Sequence, residues 1–82
     1  MKAIVYVELK DGVLDPQGKA VSETLGRLGF GEVQGARIGK RIELDLADGL
    51  DSDAAEARVK DMCEKLLANT VIESYKVEMV MA

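Results

Sequence analysis

The sequence contains no histidine and no tryptophan, and it has a single cysteine, a single proline and a single phenylalanine. Without histidine there is no imidazole to act as a base at neutral pH, to complete a catalytic triad or to ligate a metal. One cysteine cannot close a disulfide within the chain, which fits a reducing, cytoplasmic setting. No phosphate-cradling run of the GxxxxGK[ST] or GxGxxG kind occurs, and the glycines are scattered at the ends of elements. Long apolar runs are missing too, so no membrane-spanning helix is expected. The opening MKAIVYVELK alternates where a signal peptide would be continuously apolar. A net charge of −4 argues against nucleic acid or an anionic membrane surface as partner. These absences leave no independent active site: no catalytic residue and no metal ligand is expected.

What is present reads as one small domain over residues 1–82. Hydrophobic residues make up 48% and charged residues 32% of the chain, a globular rather than a disordered balance. A chain of this size buries only about 60–65% of its extended surface, so oligomerisation is a natural supplement to its core.

The most specific stretch is LKDGVLDPQGKA, residues 9–20. Gly12 permits the positive φ of a sharp exit from a strand. Asp15 before Pro16 is the pattern of an N-cap followed by the first helical residue: the carboxylate accepts an orphan N–H, and proline pre-sets φ where no donor is needed. Lys10, Asp11, Asp15 and Gln17 crowd both signs of charge and an amide into this loop. A solvated connection is one reading of it and a binding loop the other.

Residues 2–9 alternate with period two and predict a half-buried strand, with Ala3, Val5, Val7 and Leu9 on one face. Ile4 and Tyr6 make the other face less polar than open solvent favours, which leaves either ordinary surface or a face covered by another subunit. Val21, Leu25 and Leu28 then define an amphipathic helix from Pro16 to Leu28. Gly29 is placed to terminate it, and Gly26 within it predicts close approach to a neighbouring backbone.

Residues 33–46 allow two readings. As one long strand, Ala36, Ile38, Lys40, Ile42, Leu44 and Leu46 share a parity, with a bulge near Gly35. As a hairpin turning at Gly39–Lys40, Val33 comes into phase but Arg37 is buried. The long strand is preferred because it keeps Arg37 and Arg41 outside. It cannot fold back on itself, so its far half needs a second copy to pair with.

Asp51, Ser52 and Asp53 offer N-caps for a second helix, Asp53 having capping-box spacing to Glu56. Ala55, Val59, Met62, Cys63, Leu66 and Leu67 form its apolar stripe, which makes Cys63 a core residue. Asn69 is placed as a left-handed terminator. Residues 71–80 form the last strand, with Val71, Tyr75, Val77 and Met79 on one face. The expected fold is α+β: a ferredoxin-like antiparallel sheet with two helices on one face and a long middle strand shared in a dimer.

The words LKDGVLDPQGKA, LG, ARIGKRIEL and MCEKLLANTVIESYKVE occur in order, and through them the chain resembles the PurS family, the small subunit of phosphoribosylformylglycinamidine synthase in de novo purine synthesis. One departure is Thr70, where the family usually has proline in Asn-Pro-Val-Ile-Glu; it bears on the rigidity of that turn. The resemblance implies a non-catalytic subunit that bridges a glutaminase and a large synthetase subunit and supports ammonia transfer between them. It implies a homodimer or higher oligomer, and no cofactor on this chain alone, with ATP and Mg on the synthetase. The residues expected to dock partners are Lys10, Asp11, Asp15, Gln17, Arg37, Lys40 and Arg41. Arg37 and Lys40 have no local structural task that the sequence indicates. A ferredoxin-like domain that senses a small molecule is the alternative. An acylphosphatase-like hydrolase fits poorly, because Asp11 after Lys10 would repel an anion.

Overall fold

The structure is a computed structural model that describes residues 1–81. It has three strands, β1 (Lys2–Leu9), β2 (Lys40–Asp45) and β3 (Glu73–Val80), and two α-helices, α1 (Pro16–Arg27) and α2 (Ser52–Met62). The strands form one antiparallel sheet in the order β2-β1-β3, and the arrangement is α+β and ferredoxin-like.

β1 is the central strand because its inner face is wholly apolar. Ala3, Val5 and Val7 are buried against Val59, Cys63 and Ala68, with Ile42, Leu44, Leu46, Tyr75, Val77 and Met79 packed around them. Cys63 is thus a core residue, as its place on the stripe predicts. Burial of these side chains contributes about 25 cal/mol per Å² of apolar surface and is the main force holding α2 on the sheet.

α2 is capped by Asp51, whose carboxylate accepts from the Ala54 N–H, and not by Asp53. It ends in a π turn, Cys63–Leu67, closed by the Ala68 N–H on the Cys63 carbonyl at 3.0 Å. The wider turn puts the following side chains out of α-helical phase. Leu66, predicted as core, is 82% exposed, while Ala68 takes a core place. Met62 is likewise on the rim. Asn69 does not adopt positive φ, which only glycines show among the described residues. Its side-chain oxygen instead accepts from the Val71 N–H, an Asx turn, and its carbonyl accepts from Ile72 and Glu73. β3 therefore starts two residues later than expected, and Val71 is exposed.

Both ends of α1 follow the sequence signals. Asp15 caps it, and Gly29, at φ 100°, closes a Schellman turn in which Phe30 N–H reaches the Leu25 carbonyl. Its packing does not. Gly18 is the only buried residue of α1, and Val21 and Leu28 are 40% and 67% exposed. The close approach expected at Gly26 is at Gly18 instead: nothing lies near Gly26, whereas a Cβ on Gly18 would run into the Ala36 carbonyl. Only Lys40–Asp45 of the middle stretch pairs with β1, and residues 33–39 belong to no strand of this chain. The Gly39–Lys40 hairpin does not form.

Candidate partner-docking surface

Where β1 ends, the chain builds a structured corner from its own loops. The Lys10 N–H donates to the Ile72 carbonyl at 2.8 Å, and Val13 N–H closes a turn on the Lys10 carbonyl at 3.1 Å. Gly12 supplies the left-handed residue of that turn, at φ 83°. The Lys10 ammonium reaches the Thr70 carbonyl at 2.7 Å, which ties the first loop to the loop before β3.

Asp15 does two jobs at once. One carboxylate oxygen accepts from the Gly18 N–H at 2.8 Å as the helix cap. The other accepts from the Ile38 N–H, also at 2.8 Å, and fastens the returning segment to the start of α1. These bonds, first Gly18 and then Ile38, with Arg37 nearby, hold the Asp15 carboxyl below the ordinary aspartate range.

Arg37 also has a local task, contrary to the expectation from sequence. Its guanidinium pairs with Asp11 at 2.9 Å and donates to the Leu9 carbonyl. The long-strand parity counted Arg37 as a free outward residue, but residues 33–39 do not continue the strand, so the side chain turns back onto the loop. Lys40 is likewise engaged, 3.9 Å from Glu73, a partner on β3 that the sequence pattern gave no means of finding. Gln17 remains exposed on the rim of a notch of about 230 Å³ bordered by Leu9, Ile38, Gly39 and Lys40.

Six of the seven expected docking residues therefore gather at one end of the sheet: Lys10, Asp11, Asp15, Gln17, Arg37 and Lys40. Arg41 stands apart, on the open face of β2 opposite Tyr6. The thiol of Cys63 is sealed in the core, where burial and then Glu64 push its pKa up, away from the reactive thiolate. Among the described residues no group of three or more His, Cys, Asp or Glu is placed to hold a metal ion.

The family model described as phosphoribosylformylglycinamidine (FGAM) synthase, PurS, matches residues 2–81. The chain belongs to the PurS family. It is 54% identical over 77 residues to phosphoribosylformylglycinamidine synthase subunit PurS of Bacillus subtilis, covering 94% of this chain and 89% of that one. The crystal structure of Methanocaldococcus jannaschii PurS, a subunit of formylglycinamide ribonucleotide amidotransferase in the purine biosynthetic pathway, superposes with a TM-score of 0.83 at 38% identity. That match covers 98% of both chains. A chain in the structure of PurLQS from Thermotoga maritima matches with a TM-score of 0.81 at 33% identity, over 96% of this chain and 95% of that chain. The family likeness thus extends over nearly all the residues that form the sheet, the corner and the detached helix. No helix among the described residues is long and apolar enough to cross a membrane.

Proposed function

We propose that this chain is the non-catalytic small subunit of a cytoplasmic phosphoribosylformylglycinamidine synthase complex, bridging the glutaminase and the large synthetase subunit. The reaction consumes glutamine, water, ATP and formylglycinamide ribonucleotide and yields the amidine, glutamate, ADP and phosphate. The glutaminase releases ammonia, and the synthetase phosphorylates the amide oxygen that ammonia displaces. Ammonia is no nucleophile once protonated, so its route has to exclude bulk water, and a bridging subunit helps to enclose that route. ATP and Mg belong to the synthetase in this reading. The observation that carries it is the structured surface corner in which Lys10, Asp11, Asp15, Gln17, Arg37 and Lys40 gather at one end of the sheet. Lys10, Gln17, Lys40 and Arg41 are the groups that meet partners, while Asp11, Asp15 and Arg37 set the shape of the corner.

A homodimer completes this reading. The radius of gyration is 16.3 Å and the long axis 51 Å, against about 12 Å expected for a compact chain of this length. α1 accounts for the difference, since it stands off the body with its stripe exposed. Between β2 and α2 lies a groove of about 520 Å³ lined by Leu46, Ala47, Leu50, Ala54, Ala55 and Met62. A second copy's α1 fills that berth with Val21, Leu25 and Leu28, placing two helices side by side on each sheet.

Titrating the chain into glutaminase and synthetase subunits tests the function. Glutamine-dependent amidine formation should rise with it and saturate, while ammonia-dependent formation by the synthetase changes far less. A glutamine-dependent rate that ignores the chain would refute the bridging role. Sedimentation equilibrium at micromolar concentration should show no substantial monomer, and a stable monomer would refute the exchange of α1.

A further inference from the structure

The face of the sheet turned away from α2 carries Lys2, Ile4, Tyr6 and Glu8 of β1. The register sets Glu43 and Glu78 on either side of Ile4, and Arg41 and Lys76 on either side of Tyr6. An acidic row and a basic row therefore lie next to each other.

The two rows differ in how they are satisfied. Lys2 lies 3.0 Å from Glu43 and 3.9 Å from Asp45, and its ammonium holds the Glu43 carboxyl below the usual glutamate range. Tyr6 donates its hydroxyl to Glu78 at 3.0 Å. Arg41 and Lys76, by contrast, form no ion pair among the described residues. An open groove of about 470 Å³ passes over this basic row, lined by Tyr6, Glu8, Arg41, Ser74 and Lys76, with Lys40 at its edge. Two unpaired cations, Arg41 and Lys76, face one carboxylate, Glu8, there, in a chain whose net charge is −4. Tyrosine beside arginine is also the composition of energetically dominant interface centres.

We propose that this open face, centred on Tyr6, receives an acidic segment of one of the larger subunits, whose carboxylates pair with Arg41 and Lys76. The inference rests on the small-subunit reading above. The two cations stand two strands apart, roughly 9–10 Å between backbones. Acidic residues at i and i+2 of an extended segment, about 7 Å apart, lie within reach of both long side chains. Arg41 offers a planar fork for bidentate pairing, and Lys76 a mobile point charge. A nucleic acid presents a continuous run of phosphates and needs many cations, so a row of two in an acidic chain suits it poorly. A second copy is also a poor occupant: its Glu43 and Glu78 are already held by Lys2 and Tyr6, which leaves Glu8 alone to answer two cations, and its own Arg41 and Lys76 would add like charge.

The test uses R41E/K76E and the neutral pair R41Q/K76Q, titrated into the cognate glutaminase and synthetase with glutamine-dependent amidine formation as readout. The double reversal should raise the half-saturating concentration at least tenfold, and the neutral pair should raise it less. Added salt should weaken assembly of the wild type more than that of the neutral pair. Both variants should melt within a few degrees of the wild type, since Arg41 and Lys76 are exposed. A double reversal that saturates where the wild type does would overturn the inference while leaving the bridging role intact. A double reversal that changes the sedimentation of the small subunit alone would make the face a self-contact and overturn it equally. A wild type that fails to support glutamine-dependent turnover would remove the functional reading and this inference together.

Discussion

Replacing Gly18 with alanine tests how α1 is fastened to the rest of the chain. Inside a helix, alanine is ordinarily better than glycine by about 0.5–1 kcal/mol, because glycine loses more backbone freedom on folding. Here the added Cβ would lie against the Ala36 carbonyl and 2.9 Å from the Asp15 carboxylate. The 36–38 segment has to retreat by on the order of 1 Å to restore normal van der Waals separation. That retreat stretches the 2.8 Å bond from the Ile38 N–H to Asp15 beyond hydrogen-bonding range.

Overpacking of this kind costs about 1–3 kcal/mol. After the gain in helix propensity, the net loss is about 1 kcal/mol, or about 4–8 °C in melting temperature for a domain of this size. Gly26→Ala is the control, since nothing lies within 4 Å of that position. It should gain up to about 1 kcal/mol and melt several degrees higher. Circular dichroism melts of both variants, at one fixed protomer concentration, give the comparison. If Gly18→Ala melts above the wild type, the close approach of Ala36 to α1 is wrong.

Three further outcomes follow from the same geometry. Arg37→Ala should lower stability modestly, and a double-mutant cycle with Asp11→Ala should return a coupling of about 0.2–1 kcal/mol, because the pair is exposed; a coupling of zero in thermal melts would refute a working pair. Because the folded pKa of Asp15 is lowered, the unfolded chain binds more protons, so this contribution is present above the ordinary aspartate range of about 4 and is lost as pH falls through the lowered value. Asp15→Asn should therefore melt with a shallower pH slope in that acid window than the wild type. Cys63→Ala should leave glutamine-dependent activity of the complex at the wild-type level, with only a packing cost in the melt; lost turnover at unchanged stability would reveal a working thiol.

The parts of the fold readable in the sequence are those fixed by local chemistry. Asp15–Pro16 marked the start of α1 and Gly29 its end because capping needs only neighbours in sequence. The alternation of residues 2–9 gave the central strand because both its inner and outer positions keep strict period two. The stripe of α2 holds at Ala55, Val59, Cys63 and Leu67, while Met62 sits on the rim and the wide turn leaves Leu66 outside. No composition rule signals that turn. The residues expected to dock partners stand close together in two stretches of the sequence, but their contacts cannot be read there. Arg37 finds Asp11, and Lys40 finds Glu73, through distances in sequence of 26 and 33 residues that periodicity cannot bridge. Lys76 was missed altogether: its place beside Tyr6 exists only once the β1–β3 register is set.

The two bonds of Asp15 bear on how a dimer would form. A single carboxylate joins the first turn of α1 to the backbone of Ile38, and the corner is further tied by Arg37 to Asp11 and Leu9. The direction in which α1 leaves the body is therefore coupled to the path of residues 36–38, and neither can move far without the other. Among the described residues, 33–39 find no strand partner, and Val21 and Leu28 of α1 stay exposed. In the proposed dimer both defects are resolved by one placement of the second copy. The exchange of the helix and the pairing of the middle stretch are then a single cooperative event, with Asp15 and Gly18 as the joint that keeps them in register.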